Sequence, residues 1–232
     1  MQLTFDLPRR IALSRTDFLV SDSNAAAVGW IDRWPDWPSR ALALHGPVGC
    51  GKTHLLHLWC AQTAGVIVPG EALSEEVAAR LVAEGRHRIA IDDADRACEH
   101  ALLHLYNFCM ETRGGLLVAA RRPPASRTVV LPDLDSRLRA VLAIGVGLPD
   151  DALLGAVLVK HFADRQLRVA PGVIAYLLTH MERSFAAAAE MAARLDVVSL
   201  RDHRPITVPL ARQLVSEAGS HSSSSGKDSG VT

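Results

Sequence analysis

The clearest chemical pattern in the chain is the spacing G-x-x-x-x-G-K-T, which runs from Gly46 to Thr53. Glycines at this spacing let backbone N–H groups converge on phosphate oxygens, and the N-terminus of a following helix favours the same anion. Lys52 is predicted to reach the β- and γ-phosphates, and the hydroxyl of Thr53 to bind Mg²⁺. The pattern therefore predicts a site for a nucleoside diphosphate or triphosphate with Mg²⁺. The predicted nucleotide contacts are Gly46, Pro47, Val48, Gly49, Cys50, Gly51, Lys52, Thr53 and His54.

The residues on either side of this loop give it the context that a phosphate site needs. Residues 41–44 form a short apolar run typical of a buried parallel strand. Residues 53–64 carry apolar side chains at helical spacing and contain no proline or glycine. A chance glycine-rich turn before a helix is the alternative interpretation. The order of strand, turn and helix disfavours it.

Two adjacent carboxylates, Asp92 and Asp93, follow another apolar run at residues 88–91. We predict that Asp92 holds Mg²⁺ through water and that Asp93 orients or deprotonates the attacking water. A pair of helix-capping aspartates is the alternative. The apolar strand before them, together with the phosphate loop, favours the metal and catalytic roles.

Two arginines allow two interpretations each. Arg137 lies in a segment between two predicted strands, where it could project onto the γ-phosphate of a neighbouring subunit. Arg183 lies at the start of a predicted helix, from which it could reach back to phosphate on its own subunit. On spacing alone, both are better explained as solvated surface charges.

Alternating apolar runs and helical patterns predict an α/β fold, with a five-stranded parallel sheet flanked by helices. The β pattern stops near Pro149, and residues 150–217 predict a small all-helical domain. Residues 218–232 are rich in serine and glycine, and we predict a disordered tail. The predicted strands are 41–44, 65–68, 88–91, 116–120 and 143–148, and the α/β domain is assigned to residues 11–149.

Composition narrows the class of protein without indicating a partner. The chain has 25 basic and 25 acidic residues, so its total charge predicts no affinity for nucleic acid or membrane. The four cysteines lack metal-ligand spacing, and Cys50 lies inside the phosphate loop, where a disulfide would obstruct a nucleotide. Free thiols, with no signal peptide and no membrane-length apolar run, predict a soluble cytoplasmic protein.

The first residues alternate apolar and polar side chains, with Leu3, Phe5 and Leu7 on one side. An edge strand laid on the domain explains this alternation, and so does a free peptide that docks in a partner's groove. The pattern alone favours the edge strand, since alternation is common and short motifs mislead.

Taken in order, these motifs resemble the AAA+ domain of the bacterial replication initiator DnaA. The resemblance covers residues 15–215 or so and ends before any helix-turn-helix DNA-binding domain, which DnaA carries. The chain is therefore more similar to Hda proteins, short DnaA homologues that inactivate the initiator. The segments that carry the resemblance are residues 18–24, 46–53, 91–93 and 136–138, together with Arg183.

The resemblance implies a mechanism and a role for each motif. Hda-like proteins bind nucleotide in a AAA+ P-loop domain with a helical lid, attach to the DNA polymerase III β sliding clamp, and trigger hydrolysis of ATP held by DnaA. It implies that Arg137 is an arginine finger acting in trans and that Arg183 is the sensor 2 arginine. It also implies that DNA is contacted only indirectly, through the clamp. A homo-oligomer is possible.

Two further segments acquire roles through the same resemblance. Residues near Phe18 and Val20 are expected to border the adenine. Hda proteins begin with a clamp-binding peptide of the form Gln-Leu-x-Leu-x-Leu, to which residues 1–10 are similar, except that Phe5 replaces an aliphatic residue. The resemblance thus favours the docking peptide over the edge strand. The expected clamp contacts are Gln2, Leu3, Phe5 and Leu7.

One departure from the family pattern concerns catalysis by this chain itself. The sensor 1 position is usually polar, whereas here Ala119 and Ala120 are followed by Arg121 and Arg122. Without a hydroxyl or carboxylate to place water, we expect slow turnover or none.

Two alternatives to this function remain: an autonomous AAA+ ATPase acting on DNA, such as a helicase loader, and a P-loop kinase of a small metabolite. The helical domain and the segment around Arg137 disfavour the kinase.

Overall fold

The computed structural model describes residues 19–222, with side chains through residue 217. Within this range the strands form one parallel sheet in the order β2-β3-β4-β1-β5, as the alternating pattern predicted. Strand β1 lies between β4 and β5, so that Leu42 is opposite both Leu117 and Leu142. The strands are β1 Ala41–His45, β2 Val66–Pro69, β3 Arg88–Asp92, β4 Gly115–Ala120 and β5 Leu142–Gly145.

Successive strand residues pack into two different cores, because side chains alternate between the faces of a sheet. Ala43, Ile91 and Val118 pack on one face under helices α3, α4 and α5. Leu44 and Ala119 pack on the other face under α1 and α2. The helices of this domain are α1 Ala25–Asp32, α2 Lys52–Thr63, α3 Glu75–Ala83, α4 Glu99–Glu111 and α5 Pro132–Ala140.

A separate helical domain follows the sheet, in the position predicted for the lid. Its apolar side chains form their own core, centred on Leu154, Leu177, Ala192 and Leu210. Each of α6 and α8 begins at a side-chain cap, because Asp150 accepts the N–H of Leu153 and Ser184 accepts that of Ala187. The helices are α6 Asp151–Ala163, α7 Pro171–His180, α8 Phe185–Asp202 and α9 Val208–Ser222.

The predicted ends of the fifth strand and of the helical domain differ most from the structure. The fifth strand ends at Gly145 instead of residue 148, because the N–H of Gly147 donates to the carbonyl of Ser23 and not to a strand. Helix α9 continues to Ser222, five residues into the predicted tail, since no proline ends it there. Residues 223–232, the rest of that tail, lie outside the described range. Between residues 19 and 222, no helix is long and apolar enough to cross a membrane.

Candidate nucleotide-binding site

The phosphate loop connects β1 directly to α2, as the motif predicted. Gly49 and Gly51 have φ angles of 78° and 100°, a region that costs other residues about 1–2 kcal/mol. Gly51 is the N-cap of α2, so the free N–H groups of that helix begin at the loop. The conformation matches the cradle that a phosphate group needs.

Lys52 is buried, with only 7 % of its surface exposed. Its ammonium donates to the carbonyl oxygens of Gly46 and Pro47, both at 2.8 Å, and lies 3.7 Å from Sγ of Cys50. A buried charge is tolerated only with such partners. The loop itself therefore holds the lysine charge at the place where phosphate oxygens would bind.

Thr53 and Asp92 meet across the end of the sheet. The Thr53 hydroxyl donates to Oδ2 of Asp92 at 2.7 Å, which joins the start of α2 to the end of β3. Hydroxyl and carboxylate oxygens are the donors that Mg²⁺ prefers, and Mg²⁺ normally retains waters as well. The residues present therefore fit a nucleotide-bound Mg²⁺ ion.

Asp93 takes a different direction from its neighbour. Its backbone is left-handed, with φ of 49°, and its side chain lines an open groove of about 540 Å³ beside η3, a 3₁₀ turn at Ala94–Arg96. The structure thus brings Asp92, but not Asp93, into contact with the phosphate loop. The groove is lined by Asp93, Asp95, Arg96, Ala97, Glu99, Arg121, Arg122, Ser126, Arg127 and Thr128.

The stretch at the sensor 1 position belongs to this groove. Arg121 and Arg122 are exposed, and the backbone N–H of Arg121 donates to Oδ2 of Asp95 at 2.7 Å. Asp95 also lies 3.9 Å from Nε of Arg127. The Asp95 carboxylate beside this stretch is therefore engaged by its own chain.

Two histidines lie next to the loop. Burial, followed by the nearby charge of Lys52, lowers the pKa of His45 below its usual value of 6.5. Burial, followed by repulsion from His57, likewise lowers the pKa of His54. Both imidazoles are therefore neutral at pH 7, so Lys52 supplies the positive side-chain charge of the loop.

The lid contacts the phosphate loop through two residues that sequence reasoning missed. A Cβ at Gly49 would lie 2.4 Å from Cβ of Ser184, and one at Gly51 would lie 2.8 Å from the ring of Phe185. The N–H of Phe185 donates to the carbonyl of Gly49 at 3.4 Å. The glycines therefore accommodate the lid as well as phosphate. The capping pattern at Ser184 was the available signal, but it did not indicate what the cap would touch.

Arg183 directly precedes this contact. Its guanidinium pairs with the carboxylate of Asp151 at the start of α6, and half of its side chain is exposed. The structure thus places Arg183 beside the loop-contacting residues of the lid, with its charge held by the lid. This ion pair competes with a phosphate for the guanidinium.

The segment expected to border the adenine is anchored near the end of β5. Val20 is half exposed, and Nδ2 of Asn24 donates to the carbonyl of Leu19 at 3.1 Å. The N–H of Gly147 donates to the carbonyl of Ser23, which joins this segment to the residues between β5 and α6. Phe18 and the predicted clamp contacts, Gln2, Leu3, Phe5 and Leu7, lie outside the described residues.

Arg137 lies on α5, on the face of the sheet opposite α2. Its side chain is 36 % exposed, and Nε donates to Oδ1 of Asn107 at 3.0 Å. Among the described residues, no contact joins it to the phosphate loop. The structure therefore brings together Lys52, Thr53 and Asp92, and leaves Arg137 on a separate surface.

Comparisons with known proteins agree with this architecture. A family model described as the Hda lid domain matches residues 151–215, which are α6, α7, α8 and the first part of α9. Domain III of DnaA from Thermotoga maritima superposes with a TM-score of 0.75 at 18 % identity, over 91 % of this chain and 98 % of that domain.

Longer relatives share the fold over part of their length. A DNA replication initiation factor matches at 16 % identity with a TM-score of 0.68, over 80 % of this chain, which spans 64 % of that protein. AMPPCP-bound DnaA from Aquifex aeolicus matches at 17 % identity with a TM-score of 0.63, over 78 % of this chain and 64 % of that one. Residues 151–215 therefore match an Hda-type lid, and the described residues share the fold of DnaA domain III.

Proposed function

We propose that this protein stimulates hydrolysis of ATP bound to DnaA by supplying Arg137 in trans, and so prevents re-initiation of chromosomal replication. The observation that carries the proposal is the separation of Arg137 from its own nucleotide loop. Lys52, Thr53 and Asp92 are joined by contacts within the chain, whereas Arg137 is partly exposed on α5. The Hda-type lid supports the same assignment.

The guanidinium supplies what phosphoryl transfer needs from a neighbour. Negative charge spreads over the γ-phosphoryl oxygens in the transition state, and an arginine supplied in trans stabilises that charge. Arginine presents a planar fork of donors that matches phosphate oxygens, which lysine does not. Arg137 therefore acts on the nucleotide of the partner, whose own loop holds the phosphates.

The nucleotide of this chain serves a structural purpose in the proposal. Lys52 and the loop N–H groups hold ADP or ATP, Thr53 and Asp92 hold Mg²⁺, and Mg²⁺ neutralises phosphate charge when bound. Arg183 contacts the phosphates after leaving Asp151, and Phe18 and Val20 border the adenine. Asp93 can orient water, but the sensor 1 stretch at Arg121 supplies no hydroxyl or carboxylate, so turnover is slow.

A leading peptide places the protein at the replication machinery. Gln2 and the apolar residues Leu3, Phe5 and Leu7 have the spacing of a peptide that enters a hydrophobic pocket. We assign this segment to the β sliding clamp, so that DNA is contacted through the clamp. Attachment raises the local concentration of Arg137 near DnaA without a new contact between the two proteins.

The test is a reconstituted assay. DnaA is loaded with labelled ATP, and hydrolysis is followed with this protein and DNA-loaded clamp together, with each alone, and with neither. We expect acceleration in the complete mixture and little in the others. Gln2→Ala is expected to lose most of the clamp-dependent acceleration. No acceleration in the complete mixture, with active DnaA and clamp, contradicts the proposal.

An autonomous ATPase acting on DNA is the second candidate, and one observation favours it. The groove beside Asp93 is lined by Arg96, Arg121, Arg122 and Arg127, side chains suited to contacting phosphate oxygens. This function predicts turnover by the isolated protein and an affinity for single-stranded DNA that falls steeply with salt. Neither property is expected of a regulator that works through DnaA.

A further inference from the structure

The guanidinium of Arg137 is held by a residue from another helix. Asn107, on the middle of α4, accepts a hydrogen bond from Nε of Arg137 at 3.0 Å, in a partly buried position. Nη1 donates to the carbonyl of Asp133, one turn earlier on α5, at 3.3 Å, and lies 3.9 Å from its carboxylate. Asn107 is thus the contact that fixes the side chain against a different element.

These bonds leave part of the guanidinium available. An arginine carries five N–H donors in a fixed planar fork. One donor on Nε and one on Nη1 are used within the described residues, and three remain. Because the fork is rigid, fixing Nε and Nη1 also fixes the direction of the remaining donors. A planar group held at one edge presents its other edge in a defined orientation.

The helix that carries Arg137 is itself held by α4. The carboxylate of Glu99, at the start of α4, accepts the N–H groups of Val130 and Leu131, with its Oε2 at 2.9 and 2.8 Å. Leu134 and Leu138 of α5 are buried in the core that α4 shares. Contacts from α4 thus hold the start of α5 and its buried face. Asn107 on the same helix holds the side chain of Arg137.

We propose that Asn107 is a positioning residue for Arg137, one that orients the guanidinium toward the phosphate of a partner. The proposal rests on the proposed function of Arg137 in trans. Positioning has value because a reacting group displaced by about 1 Å can cost roughly a hundredfold in rate. A free arginine would also have to lose side-chain entropy when the partner binds. Because Asn107 already restricts the Arg137 side chain, less entropy is lost when the partner binds.

Leucine and aspartate are both close to asparagine in size, which gives a matched pair of variants. Asn107→Leu removes the acceptor, whereas Asn107→Asp keeps it. The readout is hydrolysis of DnaA-bound ATP in the complete mixture, measured against the concentration of this protein. We expect Asn107→Leu to lower the saturating rate roughly tenfold, with the half-saturating concentration nearly unchanged, and Asn107→Asp to stay within about twofold. Thermal unfolding and nucleotide affinity of both variants report on folding.

The outcomes separate this inference from the function on which it rests. If Arg137→Ala keeps the full rate, the function in trans is wrong. If Arg137→Ala loses the rate but Asn107→Leu keeps it, positioning by Asn107 is overturned. Equal losses in Asn107→Leu and Asn107→Asp also overturn it, because the acceptor would then not matter. A loss in Asn107→Leu that Asn107→Asp does not share supports it.

Discussion

The phosphate loop and the surface of α5 are built in opposite ways. Around the loop, Lys52 is 7 % exposed and Ser184 is 3 % exposed, and both are held by contacts from the same chain. On α5, Arg137 is 36 % exposed, and the described residues accept two of its five N–H donors. Under the proposed function, the loop needs only a nucleotide, whereas Arg137 acts only beside another molecule. Affinity for nucleotide and action on a partner should therefore be separable by mutation.

Lys52→Ala should produce the largest effect, and only in the first region. The ammonium is the buried cation of the loop, so we expect nucleotide affinity to fall by at least about a hundredfold, the loss expected for removing a strong charge-assisted contact. Titration with a fluorescent ADP analogue measures the change. Lys160→Ala, on the lid surface, is the control. A fall of less than about threefold in Lys52→Ala would contradict the assigned role.

Gly49→Ala tests the contact between the loop and the lid. Gly85 provides a matched control, because it too is left-handed, with φ of 66°, but an added Cβ there meets nothing within 4 Å. Gly85→Ala should lose about 1 kcal/mol of unfolding free energy from backbone strain. Gly49→Ala should lose a further 1–3 kcal/mol or so, because its Cβ collides with Ser184. Urea unfolding without nucleotide measures both, and equal losses would mean that the lid does not rest on the loop.

Asp151→Asn releases a charge that the lid holds next to the phosphate loop. Arg183 is paired with Asp151, so weakening that pair makes the arginine available to phosphate. We expect a gain in ATP affinity of up to about threefold, within the range of an exposed ion pair, and a loss of similar size in Arg183→Ala. Isothermal titration with ATP measures both variants. Identical affinities in the two variants would remove Arg183 from the site.

Asp150 should give the smallest effect, through pH. The N–H of Leu153, and after it the hydroxyl of Ser21, lower the pKa of this carboxyl below its usual 3.8. A lowered pKa stabilises the fold at pH values above the unfolded pKa, and this stabilisation is lost as pH falls through the folded value. Asp150→Asn should therefore unfold at a lower denaturant concentration than wild type at pH 7, with the difference shrinking below about pH 4. A difference that does not depend on pH would contradict this cause.

Local patterns predicted most of the sheet domain. Apolar runs such as residues 41–44 identify strands because a parallel sheet buries both faces, and Leu44 and Ala43 do enter opposite cores. The glycine spacing predicted the loop, and the position after a buried strand predicted that Asp92 would meet Thr53. These features depend on nearby residues and on the fixed geometry of strand ends.

The missed features depend on pairs that are distant in sequence. Ser184 caps its own helix, and nothing in that pattern indicates that it also packs on Gly49. Asn107 lies on α4, where the apolar spacing explains which face of the helix is buried. That spacing does not indicate the hydrogen bond between Asn107 and Arg137. Likewise, adjacency placed Asp92 and Asp93 in one predicted site. The left-handed backbone of Asp93 sends the second carboxylate into the arginine-lined groove.

Action of Arg137 on a partner is best tested by comparing two arginines on the same helix. Arg139 lies two residues from Arg137 on α5 and pairs with Asp135 at 2.8 Å, with 51 % of its side chain exposed. Hydrolysis of DnaA-bound ATP is followed in a single turnover with DNA-loaded clamp and wild type, Arg137→Ala or Arg139→Ala. If Arg137 acts in trans, Arg137→Ala should lower the accelerated rate at least about a hundredfold with nucleotide binding intact, and Arg139→Ala should change it little. Full acceleration by Arg137→Ala would contradict it.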